Sequence, residues 1–236
     1  MRKFFVLLII VCIGFSCQGE KEENTMTVTG NIKGLKKGML YLQHIKDSSL
    51  ITLDSLEISG DGSFSLKTKL ESPEIFYLYL NKKDNNDIND RISFFGEPGV
   101  ITINTSWNTF DLNATIEGSP SQKKWEEYKE TMSQFNKRNL ELMRLATNTE
   151  LALDTLQLDS IGKLSDKNVL RGYIFAINFA LNNTDSYVAP YIAMNEVADA
   201  NKIYLDSIAK AMTPEVAESK YGRALKSHIE GLKTDN

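Results

Sequence analysis

Two cysteines, two histidines and a few short serine, threonine and acid motifs are the residues of this 236-residue chain whose types and spacing invite chemistry. A thiol nucleophile, a thiolate metal site or a redox pair needs a cysteine beside another cysteine, a histidine or a cation. Cys12 and Cys17 both sit at the start of the chain. Cys12 follows bulky Val11 inside an apolar run and reads as one more hydrophobe. His44 and His228 are too few for a multi-histidine metal centre or a serine relay, and read as ordinary structural or surface side chains.

Ser-x-x-Lys occurs at Ser121/Lys124, Ser160/Lys163 and Ser207/Lys210, a spacing that pairs nucleophile with base in some exported acyl-transfer enzymes. The Ser-Asp-Asn and Lys-Thr-Gly elements that must accompany it are missing, so the three pairs are read as helix-surface side chains. Asp84-Asn85-Asn86-Asp87-Ile88-Asn89-Asp90 is rich in oxygen ligands. Ile88 occupies a ligand position, however, and no central glycine permits the tight turn of a calcium loop, so a solvated hairpin loop is expected. Asp followed by Ser or Thr and an aliphatic residue recurs as Asp54-Ser55-Leu56, Asp154-Thr155-Leu156, Asp159-Ser160-Ile161 and Asp206-Ser207-Ile208. This pattern matches a short O-glycosylation signal of exported proteins in some Gram-negative bacteria, which makes Ser55, Thr155, Ser160 and Ser207 candidate glycan acceptors. Polar-then-apolar alternation at element edges is the competing reading, and the unequal spacing argues against an internal repeat. Phosphate loops, dinucleotide fingerprints and His-Glu-x-x-His helices are absent. No catalytic residue, cofactor or metal is assigned, and no pair of acids is nominated for glycoside hydrolysis.

The chain opens with Arg2 and Lys3, an apolar stretch from Phe4 to Phe15, then Ser16 and Cys17. Such a stretch spans only about 18 Å as a helix, short of the roughly 30 Å of a bilayer core, so residues 1–16 read as a signal peptide rather than a membrane span. Gly14-Phe15-Ser16-Cys17 resembles a bacterial lipobox. Ser16 supplies its small cleavage residue, while Gly14 and Phe15 stand where the pattern usually carries leucine and a small residue. The resemblance implies a lipid on Cys17, and more than one acyl chain would make a durable anchor. Residues 17–24 then form the lipidated cysteine and a polar tether. Gln18 replaces the aspartate that would resemble an inner-membrane retention signal, so outer membrane is the expected address, facing periplasm or cell surface. Glu20, Glu22 and Glu23 form an acidic run similar to a surface-export tag, with a solvated linker as the alternative.

Composition narrows the partners. The whole chain carries a net charge of −4; without Arg2 and Lys3 it holds 25 basic against 31 acidic residues, net −6. Nucleic acid and adsorption to anionic lipid are thereby disfavoured. With Cys12 removed alongside the signal peptide and Cys17 committed to lipid, disulfides and thiol chemistry are not expected. About 220 mature residues suffice for two small domains with proper cores.

The elements that must position these residues follow from periodicity. From 25 to 118 the chain reads as short strands joined by turns, as in a β-sandwich or open barrel. Thr25 to Ile32 alternates with Met26, Val28 and Ile32 on one face, and Phe64 and Leu66 point inward in the segment after Gly60-Asp61-Gly62. Asp-Gly is expected to turn a tight hairpin there. At Ser119 the period lengthens to 3.6. Ser119 as N-cap, Pro120 at the first helical position and Gln122 at the capping-box position open a long helix. Trp125, Tyr128, Met132, Phe135 and Leu142 form its apolar stripe. Further helices are expected at 150–164, 166–182, 186–197, 200–212 and 214–232, within a helical domain of residues 119–233.

Val28-Thr29-Gly30-Asn31-Ile32, Leu53-Asp54-Ser55, Asp61-Gly62-Ser63-Phe64-Ser65-Leu66 and Ser72-Pro73-Glu74 together resemble a family of Gram-negative lipoprotein modules. In that family a β-rich domain of unknown function precedes a helical segment and then a thioredoxin-like thiol-disulfide oxidoreductase domain. Tyr187-Val188-Ala189-Pro190-Tyr191-Ile192 and Ser219-Lys220-Tyr221-Gly222 are similar to its last helices. The Cys-x-x-Cys pair of the oxidoreductase domain does not occur in this sequence, so fold and location carry over and redox activity does not. The expectation is α+β: an N-terminal antiparallel β-sandwich-like domain at 25–118 followed by an α-helical domain. The expected role is a membrane-anchored, non-catalytic binding or interaction module of the cell envelope, its partner a peptide, a glycan or another envelope protein. An accessory to envelope thiol-redox enzymes is the alternative, and a carboxylate-based hydrolase the second.

Overall fold

A computed structural model of the chain describes residues 24–82, 90–148, 151 and 153–232. Residues 1–23, which include the expected signal peptide, Cys12, Cys17 and most of the expected tether, lie outside the described residues, as does the acid-rich 84–90 segment apart from Asp90.

The fold is α+β. Eight strands come first: β1 (Thr25–Lys33), β2 (Lys37–Lys46), β3 (Ser49–Ser59), β4 (Ser63–Lys69), β5 (Glu74–Asn81), β6 (Arg91–Gly96), β7 (Gly99–Ser106) and β8 (Thr115–Glu117). They form two four-stranded sheets, ordered β4-β1-β7-β8 and β3-β2-β5-β6. Alternation decides the faces: Met26, Val28 and Ile32 are fully buried, and Phe64 and Leu66 nearly so, in one core with Leu40, Leu78, Phe94 and Ile101 from both sheets. Every strand pairing is antiparallel except β1 with β7, which run parallel from Met26↔Gly99 to Lys33↔Ser106. That pairing is the consequence of a chain that enters and closes the same sheet with both strands pointing the same way.

Gly60-Asp61-Gly62 does not turn a hairpin. β3 pairs only with β2 and β4 only with β1, so the turn carries the chain from one sheet to the other. Asp61 Oδ1 accepts the Ser63 N–H at 3.0 Å, which holds its carboxyl below the ordinary value, and Ile32 N–H donates to Gly62 O at 2.9 Å. A tight hairpin does form between β2 and β3, turning through Asp47 and Ser48 at φ 48° and 65°. Its two left-handed residues are the geometry of a primed turn, normally signalled by glycine.

Six helices follow among the described residues: α1 (Pro120–Thr147), α2 (Thr155–Asn182), α3 (Val188–Asn195), α4 (Lys202–Ala211), α5 (Pro214–Ala217) and α6 (Lys220–Gly231). The break expected near 165 is missing and α2 runs on for 28 residues, because nothing at Leu164-Ser165-Asp166 terminates a helix. Its start is fixed at Asp154, whose side chain accepts Gln157 N–H at 2.8 Å while Gln157 Oε1 accepts Asp154 N–H at 2.9 Å, a complete capping box. The last expected helix splits in two, since Ser219 caps α6 by accepting Gly222 N–H. At α1, Ser119 Oγ accepts Gln122 N–H at 2.9 Å, but Gln122 does not return the bond. Its Oε1 accepts Phe95 N–H at 2.7 Å, because β6 is an edge strand with donors to satisfy.

Backbone geometry generates a paired prediction. A Cβ at Gly62, where φ is +82°, would lie 2.2 Å from Ile32 O, so Gly62→Ala should destabilise by about 2 kcal/mol in urea unfolding. Gly162 lies inside α2 with open space around it, so Gly162→Ala should stabilise by about 0.5–1 kcal/mol in the same measurement.

Candidate functional site

Three places in the fold concentrate polar chemistry or exposed apolar surface: a buried clasp, a projecting helical arm and a cleft at the arm's root. The clasp forms where β5 meets α6. Glu74 is 5% exposed, yet His44 Nδ1 lies 3.0 Å from its Oε1 and Lys220 Nζ bonds its Oε2. A carboxylate only accepts, so His44 carries its proton on Nδ1. Lys220 Nζ also donates to Ile45 O at 2.8 Å, and Lys220 N–H donates to Ser72 Oγ at 2.8 Å. Beside them Ile75 N–H donates to Tyr221 Oη at 3.2 Å, and burial drives the Tyr221 hydroxyl well above its usual pKa. Ile75 and Phe95 belong to the same apolar core as Trp125, Ala189, Ile192 and Leu225, so the helices pack directly on the β3-β2-β5-β6 sheet. Phe95 meets Tyr191 edge-on at 5.9 Å.

The arm is the α1–α2 hairpin. Each helix is about 42 Å long at 1.5 Å per residue, but burial is concentrated at one end. In α1 the buried residues are Ser121, Gln122, Trp125 and Tyr128 at the root, then only Leu142; in α2 they are Gly172, Ala176, Ile177 and Ala180. At 1.5 Å per residue the rest extends by about 25 Å. Phe135 against Phe175 at 6.0 Å and Asn168 Nδ2 donating to Phe135 O and Asn139 Oδ1 hold the two helices together. Leu140 (64% exposed), Met143 (62%), Leu156 (77%) and Leu170 (56%) stand in solvent along this length. Leu156, Leu170 and Ile174 share one stripe of α2, which faces away from α1 by helical periodicity.

The cleft, about 180 Å³, opens between α1 and α2 beside Glu196, the residue that ends α3. Tyr128 is 3% exposed, and its hydroxyl faces the Glu196 carboxylate. Burial, then the charge and hydrogen bonding of Glu196, pushes the Tyr128 hydroxyl far up. Burial likewise raises Glu196 above its ordinary value, and the Tyr128 hydroxyl partly offsets this. Tyr191 is pushed up to about 12 by burial and then by Glu196.

The structure places the candidate glycan acceptors apart: Ser55 on β3, Thr155 and Ser160 on α2, Ser207 on α4, all four exposed. Ser160 and Ser207 donate to the carbonyls of Leu156 and Ile203 within their own helices. Asp54 has a second partner, since its Oδ2 accepts Lys67 N–H from the edge strand β4 at 2.9 Å. Of the Ser-x-x-Lys pairs, Ser121 departs from the surface reading: it is buried, and both its N–H and its hydroxyl donate to Glu97 from the β6–β7 turn. Lys124 and Lys163 pair with Glu127 and Asp159. Asp90 is buried and ion-paired with Lys82, and no cluster of metal-ligating side chains occurs among the described residues. His228 bonds Ala198 O at 2.8 Å.

Sequence reasoning singled out Ser72-Pro73-Glu74 and Ser219-Lys220-Tyr221-Gly222 as motifs without assigning them a joint role; they are the two halves of the clasp. Tyr128 entered as a core residue, and Glu196 was missed, because a lone exposed acid at a helix end carries no signal in one sequence.

Residues 26–125 match the family described as Domain of unknown function (DUF4369), which covers both sheets and the first turns of α1. No curated protein and no solved structure matches the chain.

Because Glu196 binds its proton more tightly folded than unfolded, it favours the folded state below the usual carboxylate range and loses that contribution as pH rises through its raised pKa. Glu196→Gln should therefore raise the thermal midpoint near neutral pH, with the gain vanishing near pH ~3, where the glutamate is protonated in both folded and unfolded chain.

Proposed function

We propose that this protein is a lipid-anchored, non-catalytic interaction module of the cell envelope, and that the α1–α2 arm is its docking element. The observation that carries the reading is the placement of Leu140, Met143, Leu156 and Leu170 on the arm, exposed and remote from both apolar cores. A two-helix hairpin buries only the seam between its helices; covering one further leucine in a partner's groove is worth roughly 1.5–3 kcal/mol. Charged and polar residues alone would keep such an arm soluble, so aliphatic side chains on its outer stripe point to a partner. The resemblance to envelope lipoprotein modules, the signal-peptide pattern and the lipobox-like Gly14-Phe15-Ser16-Cys17 support the address, with Cys17 as the anchored residue. The match of residues 26–125 to a domain of unknown function supports treating the sandwich as the platform of such a module. The arrangement of side chains also favours binding over catalysis: buried Glu74 is held by His44 and Lys220 inside a structural junction, and buried Asp90 is ion-paired with Lys82.

Photo-crosslinking in intact cells tests this. A crosslinker at Met143 or Leu156 should give one discrete adduct, and one at exposed Glu57 on β3 should give none. Met143→Glu and Leu156→Glu should remove the adduct while changing stability by less than about 0.5 kcal/mol, as expected for exposed positions. Cys17→Ser should release the protein from the membrane fraction. Equal labelling from arm and sandwich would end the docking role, and membrane retention of Cys17→Ser would end the anchor. Recovery of a thioredoxin-like protein in the adduct would select the redox-accessory reading.

A further inference from the structure

We propose that a hollow at one end of the sandwich binds a single sugar ring carrying an anionic substituent. It lies away from the arm, goes beyond the docking role and stands or falls separately from it. β1 and β7 run parallel and finish together at Lys33↔Ser106, which brings Gly34 and Trp107 side by side. β2 and β5 pair at Met39↔Asn81, which brings Lys37 and Lys82 to the same end. Gly34, Leu35, Lys36, Lys37, Lys82 and Trp107 line the hollow, about 290 Å³ in volume.

The Trp107 ring rests on Gly34: a Cβ there, where φ is +82°, would lie 2.7 Å from its Cδ1 and 3.1 Å from its Nε1. The indole is still 46% exposed, so much of it is open to a ligand. Every polar side chain of the lining is a donor, the lysine ammoniums and the indole N–H, and none is an acid. The Lys82 charge is balanced by buried Asp90, which holds that ammonium in place. Lys36 and Lys37 form no ion pair among the described residues, so their charges stand uncompensated on a chain whose net charge is −4. Phosphate, sulphate and carboxylate oxygens accept without donating and answer such a set of donors. The indole adds an apolar face with one N–H at its edge. Because the hollow is open, the far side of a ligand stays in water. A sugar ring suits this, its C–H face on the indole and its hydroxyls solvated, whereas an aromatic anion would leave one apolar face wet. The volume falls just below the roughly 300–1,000 Å³ of sites for drug-sized molecules, room for one ring and its substituent. A nucleic-acid strand would be repelled by the acidic remainder of the chain.

The test is titration of the full chain at low ionic strength, by calorimetry and by the indole N–H resonances in NMR. The probes are glucose 6-phosphate, glucuronate, glucose, inorganic phosphate and adenosine 5′-monophosphate. Trp107→Phe assigns the indole signals, since buried Trp125 supplies the other. Glucose 6-phosphate should bind saturably with a millimolar constant, at least about tenfold more tightly than glucose and about threefold more tightly than inorganic phosphate. It should shift the Trp107 signal and leave that of Trp125 unmoved. Lys36→Gln combined with Lys37→Gln should weaken glucose 6-phosphate about tenfold and leave glucose unchanged. Trp107→Ala should weaken it about threefold and leave inorganic phosphate unchanged. Glucuronate bound at least as tightly as glucose 6-phosphate would make a carboxylate the preferred substituent, and weaker binding a phosphate; both outcomes support the site. Equal affinity for glucose or inorganic phosphate, tighter binding of adenosine 5′-monophosphate, binding unchanged in the double lysine variant, or no saturation by about 100 mM would overturn it.

Discussion

A carboxylate almost withdrawn from water, Glu74, sits where the sandwich meets the helices, and the geometry of everything beyond it depends on how that charge is satisfied. Unpaired, it would impose a desolvation penalty of several kcal/mol. His44 from β2 and Lys220 from α6 each take one of its oxygens, and Lys220 also reaches Ile45 O and Ser72 Oγ. One residue of a late helix is thereby bound to β2, to β5 and to the turn before β5, across 146 to 175 positions of chain. Ion pairs of this kind contribute little net stability compared with apolar packing, but they penalise any other docking of α6, since another seating would leave the acid alone. The clasp is thus best understood as a device that fixes orientation, while the aromatic contacts of Phe95, Trp125, Tyr191 and Tyr221 supply the burial.

With α6 and α3 seated, α1 and α2 can be anchored at one end only. Gln122 ties the root of α1 to the edge of β6 and Ser121 is held by Glu97, so the arm leaves the sandwich from a braced position. Its outer length has helix-forming sequence, a complete cap at Asp154 and one internal apolar seam, but little further burial. Such a segment lies at the low-stability end of a fold, where partner-binding elements are commonly drawn from. Glu196 shows the same economy at the root: a charge raised above its ordinary pKa is retained where a neutral residue would be more comfortable.

Much of the fold was legible in the sequence. Alternation identified Met26, Val28, Ile32, Phe64 and Leu66 as inward, and the Ser119-Pro120 signal located the start of α1. Local patterns failed where long-range pairing decides the outcome. Asp61-Gly62 has hairpin chemistry, yet it bridges sheets because β4 finds β1; Asp47-Ser48 turns a true hairpin without glycine because two long strands impose it. The resemblance read from strand and turn motifs agrees with the family match over residues 26–125. The clasp could be seen only as two unconnected motifs, since nothing in one sequence announces that Glu74 and Lys220 meet. The cleft was less legible still: a buried tyrosine hydroxyl facing a carboxylate is a property of packing, and Tyr128 as a letter is indistinguishable from any other core aromatic.

The most direct measurement is a double-mutant cycle between Glu74→Gln and Lys220→Met, read by urea unfolding with one probe in the sandwich and one on the arm. The account predicts a coupling energy of about 2 kcal/mol and a single transition seen by both probes. A coupling below about 0.5 kcal/mol, with the two probes reporting separate transitions already in the unsubstituted protein, would contradict it.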